Sequence, residues 1–196
     1  MAYTVTTWVE GVTTLGPTNM NKIETELAAL DKGLALASTT IPGSPTTGQV
    51  WWDSAHNWMF RYDSAVSGSF KWMFIGGSPL FGSNLTGGAM AGGWQPYTPA
   101  LTVPFAGIYR VGASATIAIP GGTPSIVGVS YTINSVPGQA VNQGVGVCSA
   151  ANSLSCSINP TPITVAASDA VGVGAYVGVA ANISMGWVSL EPQQVG

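Results

Sequence analysis

The sequence predicts a mostly β protein in three parts. These are an extended N-terminal arm leading into a short helix, a small Trp-rich antiparallel hairpin module, and a C-terminal antiparallel jelly-roll sandwich. Three observations predict it. Short runs of β-branched and aromatic residues recur from Val50 almost to the C-terminus, broken by Gly, Pro, Asn, Asp and Ser. Apolar residues fall at helical spacing in one stretch near the N-terminus. Charged residues make up only 7% of the chain, against about 25% in ordinary soluble domains, while Gly (26) and Pro (13) are plentiful. A chain this poor in charge needs a Ser/Thr/Asn/Gly surface, subunit contacts that cover it, or both.

The first part is residues 1–40. Residues 2–10 alternate β-formers and read as extended. Gly16-Pro17-Thr18 then marks a helix start with Thr18 as N-cap. Met20, Ile23, Leu27, Leu30 and Leu34 follow at steps of three and four, the a/d pattern of a coiled-coil seam, and Gly33 provides a C′ stop. Leu at a with Ile at d favours three or four strands over two. Two readings fit so short a repeat: an oligomerising seam, or an amphipathic helix packed on its own domain.

The second part is residues 41–78. A turn-rich linker, Ile41-Pro42-Gly43-Ser44-Pro45, opens it. Two or three antiparallel strands then follow in QVWWDSAHNWMFRYD and FKWMFIGG. Four of the seven Trp residues lie here: Trp51, Trp52, Trp58 and Trp72. Large aromatic area per residue is how so small a module holds together.

The third part is residues 79–196. Its runs include Tyr109-Arg110-Val111-Gly112-Ala113 and Val171-Gly172-Val173-Gly174-Ala175-Tyr176-Val177, which alternate as half-buried strands do. Turn signals at Pro120-Gly121-Gly122 and Pro137-Gly138 separate others. Many short strands at this spacing predict a sandwich or jelly roll. Gly87-Gly88-Ala89-Met90-Ala91-Gly92-Gly93 reads as a flexible connector; it lacks the Lys-Ser/Thr of a phosphate loop. Gly, Ala and Ser fill many strand positions. A sheet so built buries little area by itself, and partner subunits supply the remainder.

Composition also narrows function. The five basic residues (Lys22, Lys32, Arg61, Lys71, Arg110) are scattered and the net charge is -3, which argues against a nucleic-acid partner and against electrostatic membrane attachment. No apolar run is long enough for a spanning helix, so no membrane insertion is expected. The opening residues carry no basic n-region and apolar h-region, so synthesis in a cytoplasm without secretion is expected. Cys148 and Cys156 fit either a disulfide or two buried thiols.

Three stretches resemble known proteins. Trp8-Val9-Glu10-Gly11 followed by Met20-Asn21-Lys22-Ile23-Glu24 resembles the opening of many bacteriophage tail and fibre proteins. GQVWWDSAHNWMFRYDSAVSGSFKWMFIGG is similar to a phage module with a Trp-x-Asp strand, an Arg-Tyr strand and a Lys-Trp-x-Phe-Ile-Gly-Gly close. LTVPFAGIYRVGASATI resembles the inner strands of TNF/C1q-like trimeric jelly rolls, and GWVSLEPQQV fits a last strand of that domain. The resemblance implies a structural protein of the virion surface: a homotrimeric capsid decoration protein or short head fibre. Its N-terminal arm would hold the major capsid protein or a tail structural protein, with the jelly roll outward. It would be made in the host cytoplasm and released by lysis. A tail fibre or receptor-binding tip carries the same modules and is the alternative.

Catalytic and cofactor chemistry finds few candidates. His56 is the sole histidine and lies in the Asp53–Asn57 turn, and no GxSxG supports a nucleophile. The carboxylates show no metal-ligand spacing, and Asp53 and Asp63 read as turn residues capping backbone groups rather than a glycosidase pair. A glycan-degrading enzyme is therefore the weakest reading, and no enzyme activity, cofactor or metal is expected. Trp94, Tyr97 and Tyr131 fit two readings, packing in a core or subunit interface or contact with a host-surface glycan; Trp94 and Tyr97 follow the Gly-rich stretch, where a rim of the sandwich is expected.

Overall fold

The computed structural model describes residues 21, 24, 36–121, 124–137, 144–149 and 152–196. Asn21 and Glu24 are helical and exposed. The predicted arm, the Thr18 cap and the seam of Met20, Ile23, Leu27, Leu30 and Leu34 lie outside the described residues.

Among the described residues, fifteen strands run in chain order: β1 (Leu36–Ser38), β2 (Val50–Asp53), β3 (Trp58–Tyr62), β4 (Trp72–Gly76), β5 (Leu80–Asn84), β6 (Gly88–Met90), β7 (Gly93–Thr102), β8 (Gly107–Ala118), β9 (Ser125–Ile133), β10 (Val136–Pro137), β11 (Gly144–Cys148), β12 (Ser153–Ser157), β13 (Thr161–Val165), β14 (Ala170–Val177) and β15 (Ala181–Val195). The protein is mostly β, as its alternating runs predict.

Two sheets form. The smaller has β7, β14 and β9 side by side, with β10 and β11 both on the far edge of β9. The larger is organised on β15 and β8, which pair antiparallel over nearly their whole lengths. Strands β12 and β13 continue beyond β8; β4, β5 and β6 share the other edge of β15. From β7 onward the chain crosses between the sheets five times, at β7–β8, β8–β9, β11–β12, β13–β14 and β14–β15, the jelly-roll arrangement. Pro192 lies within the long β15, where its missing N–H falls beside a register shift between Pro192 and Gln194.

The core is the alternate residues of both sheets. Tyr109, Val111, Ala113, Ala115 and Ile117 come from β8, Val127 and Val129 from β9, and Val171, Val173, Ala175 and Val177 from β14. Val188 and Leu190 of β15 complete it. Each fully buried Val, Leu or Ile contributes about 1.5–3 kcal/mol relative to exposure. On the opposite face of β14, Gly172 and Gly174 bring no side chain, and Tyr176 is its one large outward residue.

The Trp-rich strands β2, β3 and β4 are antiparallel, and β1 adds in parallel to β2. The turn between β2 and β3 follows from its residues. Asp53 Oδ1 accepts the Ala55 N–H at 3.0 Å, and Asn57 takes the left-handed backbone that Asn tolerates (φ 56°). Asp63 accepts the Ala65 N–H in the same way. This module extends the larger sheet: Trp72 and Met73 pair with Val195 and Gln194. Its aromatics enter the common core, with Trp51 edge-on to Phe105 (5.1 Å) and Trp58 tilted on Tyr109 (6.3 Å). Trp51, Trp58, Phe60 and Trp72 are buried, while Trp52 is exposed.

One expectation is corrected. Gly87–Gly93 is not a flexible connector: Gly88–Met90 is β6, paired with Ala181–Ile183, and Gly93 opens β7. A Cβ at Gly87 would stand 2.9 Å from the Ile183 carbonyl, so the absence of a side chain serves close backbone approach.

Candidate functional site

The outward face of the larger sheet is the most unusual surface. Its registers set side chains in rows across the strands. One row is Phe81 on β5, Ser189 on β15 and Gly112 on β8. The next is Ser83, Trp187, Ser114 and Ser157, and then Met185, Thr116 and Ser155. Asn182, Ala118 and Ser153 form a fourth. None of these residues is charged. The pair Arg110–Glu191, 4.0 Å apart, borders the rows at one end. A solvated sheet face ordinarily carries Lys and Glu. Here Phe81, 62% exposed, stacks on Trp187 with ring centroids 6.0 Å apart. The indole leans over Gly112, whose missing Cβ would lie 3.5 Å from it. Ser114 Oγ donates to the Cys156 carbonyl (2.8 Å), and Thr116 and Ser155 hydroxyls pair at 2.8 Å. Ser114, Thr116 and Ser155 are thus turned to internal partners.

A second constellation surrounds His56. Its Nδ1 lies 2.6 Å from Asp53 Oδ2, and the ring stacks on Trp58 and stands edge-on to Phe105. Asp53 is wholly buried and also holds the turn. The pair is packed among aromatics and ties the turn to the sandwich. Burial pushes the Tyr109 hydroxyl above the ordinary tyrosine range, with Asp53 adding to the effect, and the hydroxyl donates to the Phe105 carbonyl at 2.9 Å.

The aromatics assigned to glycan contact do not share one surface. Tyr131 is buried in the core. The Tyr97 ring packs inward against Gly186, where a Cβ would come within 2.8 Å, and its hydroxyl is buried without a partner among the described residues. Inward alternation of β7 and β9 puts both inside the sandwich, so the assignment is corrected for Tyr97 and Tyr131. Trp94 alone faces outward, against Tyr176 with ring centroids 5.5 Å apart. Sequence reading missed Tyr176, because the cross-strand register that sets it opposite Trp94 is a tertiary property.

Cys148 and Cys156 are both free and buried. Burial pushes the Cys156 thiol up, with Cys148 adding to it. Among the described residues, no three His, Cys, Asp or Glu side chains are grouped to hold a metal ion, and no helix is long and apolar enough to cross a membrane.

No protein-family model matches the chain, and no curated protein matches it.

Proposed function

We propose that this chain is a non-enzymatic structural subunit of a bacteriophage particle, a homotrimer displayed on the capsid surface as a decoration protein or short head fibre. The observation that carries the assembly reading is the uncharged outer face of the larger sheet. A monomer would leave Phe81 and Trp187 in water amid Ser, Thr, Gly and Ala, with no charge to repel a neighbour. Contact with further copies covers that face without burying an unpaired ion. The Leu/Ile heptad positions favour three or four copies over two, the resemblance of the C-terminal strands to trimeric jelly rolls supports three, and the resemblance of the N-terminal and Trp-rich stretches to phage virion proteins supports a particle with the arm toward it.

Two measurements test this. Sedimentation equilibrium at micromolar concentration is expected to give a trimer for the full chain and a smaller species for Phe81→Asp. A wild-type chain that sediments only as monomer would overturn the assembly. Reconstruction of an intact particle carrying the protein is expected to show many trimers on the shell. A handful of copies confined to the tail would overturn the capsid placement.

A further inference from the structure

The outer face of the smaller sheet carries a cleft unrelated to the face just described. One row of residues crosses four strands: Trp94 on β7 opposite Tyr176 on β14, Tyr176 opposite Gly128 on β9, and Gly128 opposite Val145 on β11. The third position has no side chain, so a notch opens between the aromatic pair and the aliphatic side chain. Ile126, one row along, closes its end. The notch has a volume of about 170 Å³ and is lined by Trp94, Ile126, Gly128, Val145 and Tyr176. That is room for one ring, not for a chain.

The two walls differ in chemistry. The aromatic wall carries an indole N–H and a phenol hydroxyl. Among the described residues neither has a hydrogen-bond partner. The facing wall is aliphatic and offers nothing polar from its side chains. No charged side chain among the described residues lines the cleft, which disfavours phosphate, carboxylate and cationic ligands; a nucleotide would bring phosphates with no described basic residue to meet them. An apolar pocket with few convergent polar groups is the usual form of a small-ligand site. Ile126 and Val145 are both more than half exposed, an unusual state for two adjacent aliphatic side chains that are left with no ligand.

We propose that this cleft is a saccharide site that takes an N-acetylated hexose ring. The C–H face of the pyranose lies on the Trp94–Tyr176 wall, and its hydroxyls accept from the indole N–H and the phenol. The acetamido methyl fills the aliphatic side against Ile126 and Val145. Both halves of the cleft are then used by one ligand: an unsubstituted hexose leaves the aliphatic wall wet, and a purely apolar ligand leaves both donors unmet. All five residues belong to one chain, so the site stands independently of the assembly proposed above.

The test is titration of the full-length protein with N,N′-diacetylchitobiose and, in parallel, with cellobiose, the same disaccharide lacking the acetamido groups. Methyl and indole NMR signals report the contact. Chitobiose is expected to shift the Trp94 indole and the Ile126 and Val145 methyl signals in a saturable manner, with cellobiose at least about tenfold weaker. Tyr176→Phe keeps the ring and removes one donor, and is expected to weaken chitobiose about fivefold. Val145→Ser, at an exposed position that leaves the core untouched, is expected to erase the preference for chitobiose. Absence of saturable shifts with chitobiose overturns the site. Equal binding of both disaccharides overturns the acetamido assignment, as does a preference unchanged in Val145→Ser. Sedimentation of the same samples shows whether assembly is intact, so loss of the trimer and loss of the sugar are read separately.

Discussion

His56 Nδ1 and Asp53 Oδ2 lie 2.6 Å apart at the point where the β2–β3 turn meets the sandwich. The carboxylate is wholly buried and has two partners, the His56 ring and the Ala55 N–H. Removing it takes the acceptor from the Ala55 N–H and from the His56 ring, which packs against Trp58 and Phe105. Asp53→Ala is expected to cost about 3 kcal/mol in urea unfolding, and Asp53→Asn about half of that, since one acceptor oxygen remains. Equal stability of Asp53→Ala and the wild type would show that the pair does not hold the turn.

Tyr109 gives the chain an alkaline limit. Its hydroxyl is raised above the ordinary value by burial first, and by Asp53 as well. An unfolded tyrosine releases its proton near pH 10, while the folded one still holds it. Above that pH the unfolded state therefore binds fewer protons, and stability falls as pH rises. The contribution is fully present below about pH 10 and is lost as pH climbs toward the folded value. Tyr109→Phe is expected to lose about 1 kcal/mol at neutral pH with the hydrogen bond to Phe105, yet to show a shallower decline above pH 10. Parallel alkaline unfolding curves for the two proteins would refute this.

The two thiols are expected to be silent in the native state. Cys148 and Cys156 are buried, and the Cys156 thiol is raised by desolvation, which keeps it in the unreactive protonated form at mildly alkaline pH. Labelling with a disulfide reagent at pH 8 should proceed at the rate of unfolding, and then report both of the chain's two cysteines. Rapid labelling of folded protein would contradict their burial.

Gly77 closes the Trp-rich module. Its φ is +127°, and a Cβ there would stand 2.5 Å from the Asn57 carbonyl and 2.8 Å from the Trp58 ring. Gly77→Ala is expected to destabilise by about 2 kcal/mol or more, from backbone strain and the displaced indole together. Thermal unfolding followed by Trp fluorescence measures it, and an unchanged midpoint would count against the strain.

Gly112 bears on assembly rather than folding. It lies beneath Trp187 on the uncharged face, with Ser189 Oγ 2.8 Å from where its Cβ would be. Gly112→Val lifts the indole out of its seat. The variant is expected to keep its β circular dichroism and to sediment as a smaller species. A trimer with unchanged affinity would place the subunit contact elsewhere.

Much of the fold is legible in local patterns. The alternation in Tyr109–Ala113 and Val171–Val177 marks β8 and β14, because a half-buried strand must change face at every residue. The Asp and Asn of the Asp53–Asn57 turn and the Gly-rich closure of β4 are likewise local chemistry. What local pattern misses is pairing. Gly88–Met90 carries no β-prone residue, yet it is a strand because β15 offers it an open edge and Gly87, just before it, admits close backbone approach. Leu36–Ser38 is a strand because β2 offers a parallel edge.

The sequence by itself determined a β-rich chain of low charge, with aromatic strands near the middle and small residues in many strands of the C-terminal part. Those properties belong to single residues and their nearest neighbours. Only the tertiary structure decided which aromatics share a surface. Tyr97 and Tyr131 turn inward, Trp94 meets Tyr176 across two strands, and Phe81 meets Trp187 across two others. The reason is physical. A one-residue change in register moves every side chain of a strand to the opposite face, and register is set by the sum of long-range ladder bonds and core burial that no local window contains.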